Sequence, residues 1–238
     1  MHKNVEKLSL NYSPNFDAKK RSKFNIKYLI FHYTGMKSEN SAIKKLIDKG
    51  SKVSCHYFIK KNGEIIQMVP DLYNAWHAGV SFWKNDNFLN SKSIGIEISN
   101  PGHSNGYKNF SKRQINSIIQ LSKKLIKKYK ISKKNVLGHS DVAPLRKIDP
   151  GEKFPWEFFS KKNIAVWHNI DKQKCKNYRS KKVKEEEFYK LLFKFGYHPA
   201  KKQTDKIKIF KNFQRRFRPN FIKSKPDKEC YYILKSLI

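Results

Sequence analysis

Tyr28-Leu29-Ile30-Phe31-His32 and, further along, Ile94-Gly95-Ile96-Glu97-Ile98 decide the fold. The first, with Ile26 ahead of it, is a short apolar run and predicts a buried strand from Ile26 to Phe31 that ends at His32. The second alternates, which sets Glu97 on one face and Ile96 and Ile98 on the other. Working outward, Ser38 is placed to cap a helix whose inner stripe is Ile43, Leu46 and Ile47, with Gly50 as its left-handed stop. Cys55 to Lys60 and Ile65 to Val69 predict two strands, joined through Lys61-Asn62-Gly63-Glu64, and Asn-Gly is a strong hairpin signal. Ser111 with Gln114 three residues on forms a capping-box pattern. Behind it Ile115, Ile118, Ile119, Leu125, Ile126 and Tyr129 recur at helical spacing. Asn135 to Gly138 predicts a short strand delivering His139. Strands alternating with helices, plus one hairpin, imply an α/β domain with a mixed central β-sheet flanked by helices. Residues 1 to 24 are polar and are expected to wrap the surface.

After about residue 165 the character changes. Lys172 to Lys184 is charged and lacks apolar periodicity, as a linker would. Phe188, Leu191, Leu192 and Phe195, ending at Gly196, then Phe210, Phe213 and Phe217, ending before Pro219, and finally Tyr232, Ile233 and Leu237 mark three short amphipathic helices. The expected organisation is therefore residues 1–165, a linker over 166–184, and a small all-α three-helix C-terminal domain over 185–238. So small a unit holds only a marginal core by itself.

The hydrophobic share of 38% and aromatic share of 14% suffice for a packed core. The net charge of +33 points to a polyanion, whether nucleic acid, an anionic membrane surface or a carboxylate-rich polymer, or to plain lysine bias. Only seven of the 52 basic residues are arginines, whereas base and phosphate readers favour the arginine fork. Cys55, Cys175 and Cys230 are too few and too scattered for a disulfide framework or a cysteine metal site. Met1 to Glu6 shows no apolar core of a secretory signal, and no window reaches the roughly 18 apolar residues of a membrane span. A soluble cytoplasmic protein is the expectation, with the periplasm or cell envelope as the alternative.

Chemistry concentrates in Gly138-His139-Ser140-Asp141-Val142-Ala143-Pro144-Leu145-Arg146-Lys147-Ile148-Asp149-Pro150-Gly151. His139 and Asp149, together with His32, make a sufficient set for a zinc ion that keeps one position open for water. Lys147, two residues before the carboxylate, can place a cation where negative charge develops. Glu97, amid isoleucines, must be desolvated, paired or functional unless its face of the sheet is wet. Desolvation would raise its pKa toward the range of a general base. His56, inside a strand, reads as structural. His77, in the loop Trp76-His77-Ala78-Gly79, reads as a substrate contact rather than a ligand.

Phe31-His32-Tyr33-Thr34-Gly35, Trp76-His77-Ala78-Gly79, Ser93-Ile94-Gly95-Ile96-Glu97 and the 138–151 segment, in this order, resemble the type 2 family of N-acetylmuramoyl-L-alanine amidases. That family shares its fold with T7 lysozyme and the peptidoglycan recognition proteins. The resemblance spans about Ser13 to Trp156. It implies zinc on His32, His139 and Asp149, Glu97 as the residue that handles the water proton, and Lys147 as the oxyanion stabiliser. Tyr33, Trp76 and His77 are then the expected substrate contacts, and peptidoglycan or muropeptides the expected partners. Phage-type members carry a tyrosine where this chain has Cys55, which fits the subgroup relying on the strand glutamate. The tail, through Phe195-Gly196-Tyr197 and Phe213-Gln214-Arg215-Arg216-Phe217-Arg218-Pro219, resembles a three-helix peptidoglycan-binding module. Two other classes compete: a non-catalytic recognition protein of the same fold, which would have lost a ligand, and a basic nucleic-acid-binding protein, for which no reader motif is present.

Overall fold

The computed structural model describes residues 8–179 and 181–238. A six-stranded mixed sheet lies at its centre, in the order β1-β4-β3-β5-β2-β6. The strands are β1 (Leu8–Leu10), β2 (Tyr28–Tyr33), β3 (Tyr57–Ile59), β4 (Ile65–Gln67), β5 (Ser93–Ile98) and β6 (Val136–Gly138). β3 and β4 form the expected antiparallel hairpin, and every other neighbouring pair is parallel. Gly63 closes the hairpin turn at φ +87, its amide donating to Lys60 O at 3.0 Å.

The helices are α1 (Glu39–Ile47), α2 (Lys112–Tyr129), α3 (His139–Val142), α4 (Trp156–Lys161), α5 (Lys172–Tyr178), α6 (Glu185–Phe195), α7 (Gln203–Phe217) and α8 (Lys228–Leu237). Both hydrogen bonds of the Ser111–Gln114 capping box form. Ile118, Leu121 and Leu125 of α2 bury against Leu29, Phe31, Ile94, Ile96 and Ile98 of the sheet. The opposite face of the sheet is covered as well over β2 and β6, away from the cleft at its carboxyl end. Tyr28, Ile30 and Leu137, with Val142 of α3, share a second core with Phe188, Phe210, Phe213, Phe217 and Leu234 of the last three helices. Each strand of the pair β2–β6 is thus buried on both faces, as its unbroken apolar run requires.

Four expectations need correction. Residues 8–24 do more than wrap the surface: Leu8–Leu10 adds an edge strand, and Ser13, Asn15 and Arg21 are buried. The Arg21 guanidinium donates to the carbonyls of Asp71, Asn90 and Ser93, so its polarity is satisfied inside the fold. Residues 1–7, on which the reading for a secretory signal rests, lie outside the described residues. Gly50 is not the helix stop. α1 ends at Ile47, Asp48 caps the following 3-10 turn by accepting from Gly50 N, and Lys52 takes the left-handed conformation at φ +51. The stretch read as a linker contains α5, with Cys175 buried, and Arg179 donates to Glu229 at 2.8 Å. Tyr232 is 38% exposed, and Cys230 and Leu234 carry the inner face of α8 instead. No helix of the described residues is long and apolar enough to cross a membrane.

Candidate active site

Parallel strands with crossovers leave their functional side chains at the carboxyl ends of the strands. His32 sits near the end of β2, directly across from Glu97 on β5. β6 pairs with β2 through Gly138 and Phe31, so the next residue, His139, arrives beside His32. Asp149 returns to the same point, its carbonyl accepting from Ser140 N at 2.8 Å. His32, His139 and Asp149 are all buried, and one donor atom from each lies within 4.8 Å of the other two. The two Nδ1 atoms are 2.9 Å apart, and Asp149 Oδ2 lies 3.1 Å from His139 Nδ1 and 3.4 Å from His32 Nδ1.

The hydrogen-bond partners assign the ring protons. Ser93 Oγ donates to Leu89 O at 2.6 Å, so it accepts from His77 Nε2 at 3.2 Å. His77 Nδ1 is then an acceptor and receives the Nε2 proton of His32 at 3.0 Å. His32 is left with a lone pair on Nδ1. His139 Nε2 lies 3.2 Å from Ala78 O and 3.4 Å from Arg146 Nη2, and when it donates to the nearer carbonyl its Nδ1 likewise keeps a lone pair. Burial, with His139 beside it, pushes His32 down to about 4, and burial also holds His77 well below its ordinary value. Burial alone would raise the Asp149 carboxyl, and what holds it low is positive charge at the two imidazole nitrogens facing it, a place a bound cation can fill. Two lone pairs in contact beside a carboxylate repel one another unless a cation sits among them. The donor set fits a zinc ion.

Glu97 borders the same cleft, of about 340 Å³, together with Tyr33, Lys45, Trp76, Arg146 and Lys147. Its Oε2 is sealed from solvent and has no hydrogen-bond partner among the described residues. Burial, reinforced by Asp149, pushes its carboxyl up to about 8, against the opposing pull of Lys147 and Lys45. An acid so placed is ready to exchange a proton near neutral pH.

The residues expected to touch substrate divide. Trp76 lines the cleft, its Nε1 held by Asp17 at 2.8 Å, and Tyr33 lines it with its hydroxyl 2.9 Å from His103 Nδ1. His77 also borders the cleft, but both ring nitrogens are engaged inside the protein, and it serves as the partner that orients His32. His56 is structural, as expected: it is buried and accepts from Gly95 N at 3.0 Å. Sequence reading missed His103, which bridges Tyr33 to Glu152 at 3.0 Å, and also missed Lys45 and Arg146 in the cleft wall. A cation next to a motif carries no signal in a chain where lysine is everywhere.

The profile of the N-acetylmuramoyl-L-alanine amidase family matches residues 22–152. The N-acetylmuramoyl-L-alanine amidase AmiD of Escherichia coli is 35% identical over 232 residues, which cover 90% of this chain and 82% of AmiD. The 1,6-anhydro-N-acetylmuramyl-L-alanine amidase AmpD of Haemophilus influenzae is 34% identical over 163 residues, 61% of this chain and 86% of AmpD. The structure of E. coli AmiD with the substrate anhydro-N-acetylmuramic acid-L-Ala-D-γ-Glu-L-Lys superposes with a TM-score of 0.80 at 34% identity, covering 92% of this chain and 90% of that one. AmpDh3 of Pseudomonas aeruginosa, solved with an anhydromuramic pentapeptide, also gives a TM-score of 0.80, at 28% identity and 92% coverage of both chains. The likeness extends from the cleft over nine-tenths of the chain, and this chain belongs to the N-acetylmuramoyl-L-alanine amidase family.

Proposed function

We propose that the protein is a zinc-dependent hydrolase of the amide between the lactyl group of N-acetylmuramic acid, or its 1,6-anhydro form, and L-Ala of the stem peptide. The observation that carries this reading is the convergence of two imidazole Nδ1 atoms and the Asp149 carboxylate beside Glu97, whose Oε2 has no hydrogen-bond partner among the described residues. Zinc held by His32, His139 and Asp149 would supply a water of lowered pKa and polarise the amide carbonyl. Glu97 takes the proton of the attacking water and returns one to the leaving amine. Lys147, on the cleft wall, faces the charge that develops on the carbonyl oxygen, an interaction worth about 3 kcal/mol for a well-placed donor. Tyr33 and Trp76 border the space for the sugar and peptide, and the basic surface draws in stem-peptide carboxylates.

The substrate in the AmiD structure and the anhydromuramic pentapeptide bound to AmpDh3 support this choice of bond. A binding-only protein of this fold would have no use for the complete ligand set. Pure protein, assayed for zinc and incubated separately with intact sacculi and anhydro-muropeptide, should release free stem peptide, identified by mass spectrometry. Dialysis against a strong chelator should abolish the release and zinc should restore it; full activity in metal-free protein refutes the reading. Cleavage of the soluble muropeptide alone fits cytoplasmic recycling, and cleavage of sacculi fits action at the cell envelope.

A further inference from the structure

Lys147 ends a turn, Pro144 to Lys147, between α3 and Asp149, in which the amides of Arg146 and Lys147 donate to Ala143 O at 3.2 and 3.0 Å. The carbonyls of Pro144 and Lys147 are left outside that pattern, and helix α7, far away in sequence, anchors them. Asn212 is 1% exposed among Ile209, Phe210, Phe213 and Phe217, where an aliphatic side chain would bury without desolvation cost. Its Nδ2 instead donates to Pro144 O and to Lys147 O, each at 2.9 Å, so both protons of one amide grip the two ends of one turn. Its Oδ1 accepts from Arg215 Nη1 at 2.8 Å, which fixes the orientation of the amide. Arg215 Nε in turn lies 3.6 Å from Glu152, whose carboxylate meets His103, the partner of Tyr33. One turn later, buried Arg216 pairs with Asp141 of α3 and donates to Val136 O at 3.0 Å.

The geometry points to α7 as a working part of the cleft, with Asn212 as the positioning residue for Lys147. This inference rests on the proposed role of Lys147 and gives the C-terminal helices a task in turnover that needs no glycan binding. A buried amide spanning both ends of the turn sets where the lysine stem begins, and an error of an ångström at that point is costly in catalysis.

Asn212→Ala and Asn212→Asp separate this from simple packing: both lose the two donated hydrogen bonds, but only the first loses volume. The full-length variants, assayed well below their melting temperatures, should retain zinc at the wild-type ratio. Hydrogen exchange across residues 144–147 should accelerate in both, and kcat on soluble muropeptide should fall about ten- to a hundredfold with KM unchanged. If one variant fails to fold, the other carries the test. Exchange at wild-type rate, unaltered kcat in either folded variant, or a fall in zinc content that accounts for the lost activity overturns the assignment. Should the wild type cleave no muropeptide, the functional reading fails on its own, and the exchange rates alone decide whether Asn212 holds the turn.

Discussion

Glu97 and His77 show how single side chains acquire their tasks from what surrounds them. Glu97→Gln keeps the shape and removes the ionisable proton, so it should retain fold and zinc while turnover falls roughly 10²–10⁴-fold; near-normal turnover would move the base elsewhere. The same acid affects stability in metal-free protein. Its folded-state pKa of about 8 lies above the ordinary 4.5, so the contribution is complete below 4.5 and is lost as pH rises through 8. Metal-free wild type should therefore lose melting temperature over that window, and Glu97→Gln should lose less; parallel curves would contradict the desolvation. His77→Ala removes the acceptor that holds the Nε2 proton of His32. Zinc affinity, read by competition with a chromophoric chelator, should drop roughly 10–100-fold, whereas His32→Ala and His139→Ala should abolish binding. If His77→Ala bound zinc as tightly as wild type, the relay through Ser93 would have no effect on the site. The cluster of His32, His139 and Asp149 was legible because its members fall in motifs. The direction of the His77 ring was not, because sequence places a loop residue without aiming it.

At the scale of elements, β5 explains why the relay has room. A Cβ on Gly95 would lie 2.4 Å from His77 Cγ, so the strand passes the imidazole with no clearance. Gly95→Ala should cost about 1–3 kcal/mol in denaturant unfolding and weaken zinc binding in step, since the displaced ring is the one that orients His32. Loss of stability with zinc affinity intact would uncouple the strand from the site. The alternation of β5, the Asn62-Gly63 hairpin and the Ser111–Gln114 box were readable because each is set by local chemistry. β1 and α5 were not. A three-residue parallel edge strand depends on backbone pairing with β4, and α5 is short and held partly through Arg179 and Glu229, a contact of long sequence separation.

The whole molecule behaves differently from a catalytic domain with a detachable tail. The periodicity of α6 to α8 correctly announced apolar faces, but periodicity cannot say what a face covers. Here they cover the sheet, and Asp141 receives both Arg216 and the Tyr197 hydroxyl. A chain ending near residue 175 loses those partners and opens the apolar side chains of Tyr28, Ile30, Leu137 and Val142 to water, at about 1.5–3 kcal/mol for each large one fully uncovered. Truncation should lower the melting temperature sharply and impair soluble muropeptide and sacculi alike. A truncated chain that cleaved muropeptide normally and lost only affinity for sacculi would instead make the tail an independent polymer binder. Sacculus binding by the full chain should be repeated at high salt, because a net charge of +33 attracts any polyanion at low ionic strength.

The doubly buried pair β2–β6 has a consequence for the family at large. Tyr28, Ile30, Leu137 and Val142 lie on a face that α6 to α8 cover together with Trp83 and Leu89. A relative with the same sheet and no such helices must carry water-tolerant side chains at these four places or find another cover. The first half of a chain thereby bears the imprint of its second half, and a fragment ending at the catalytic motifs can disclose whether something once followed it.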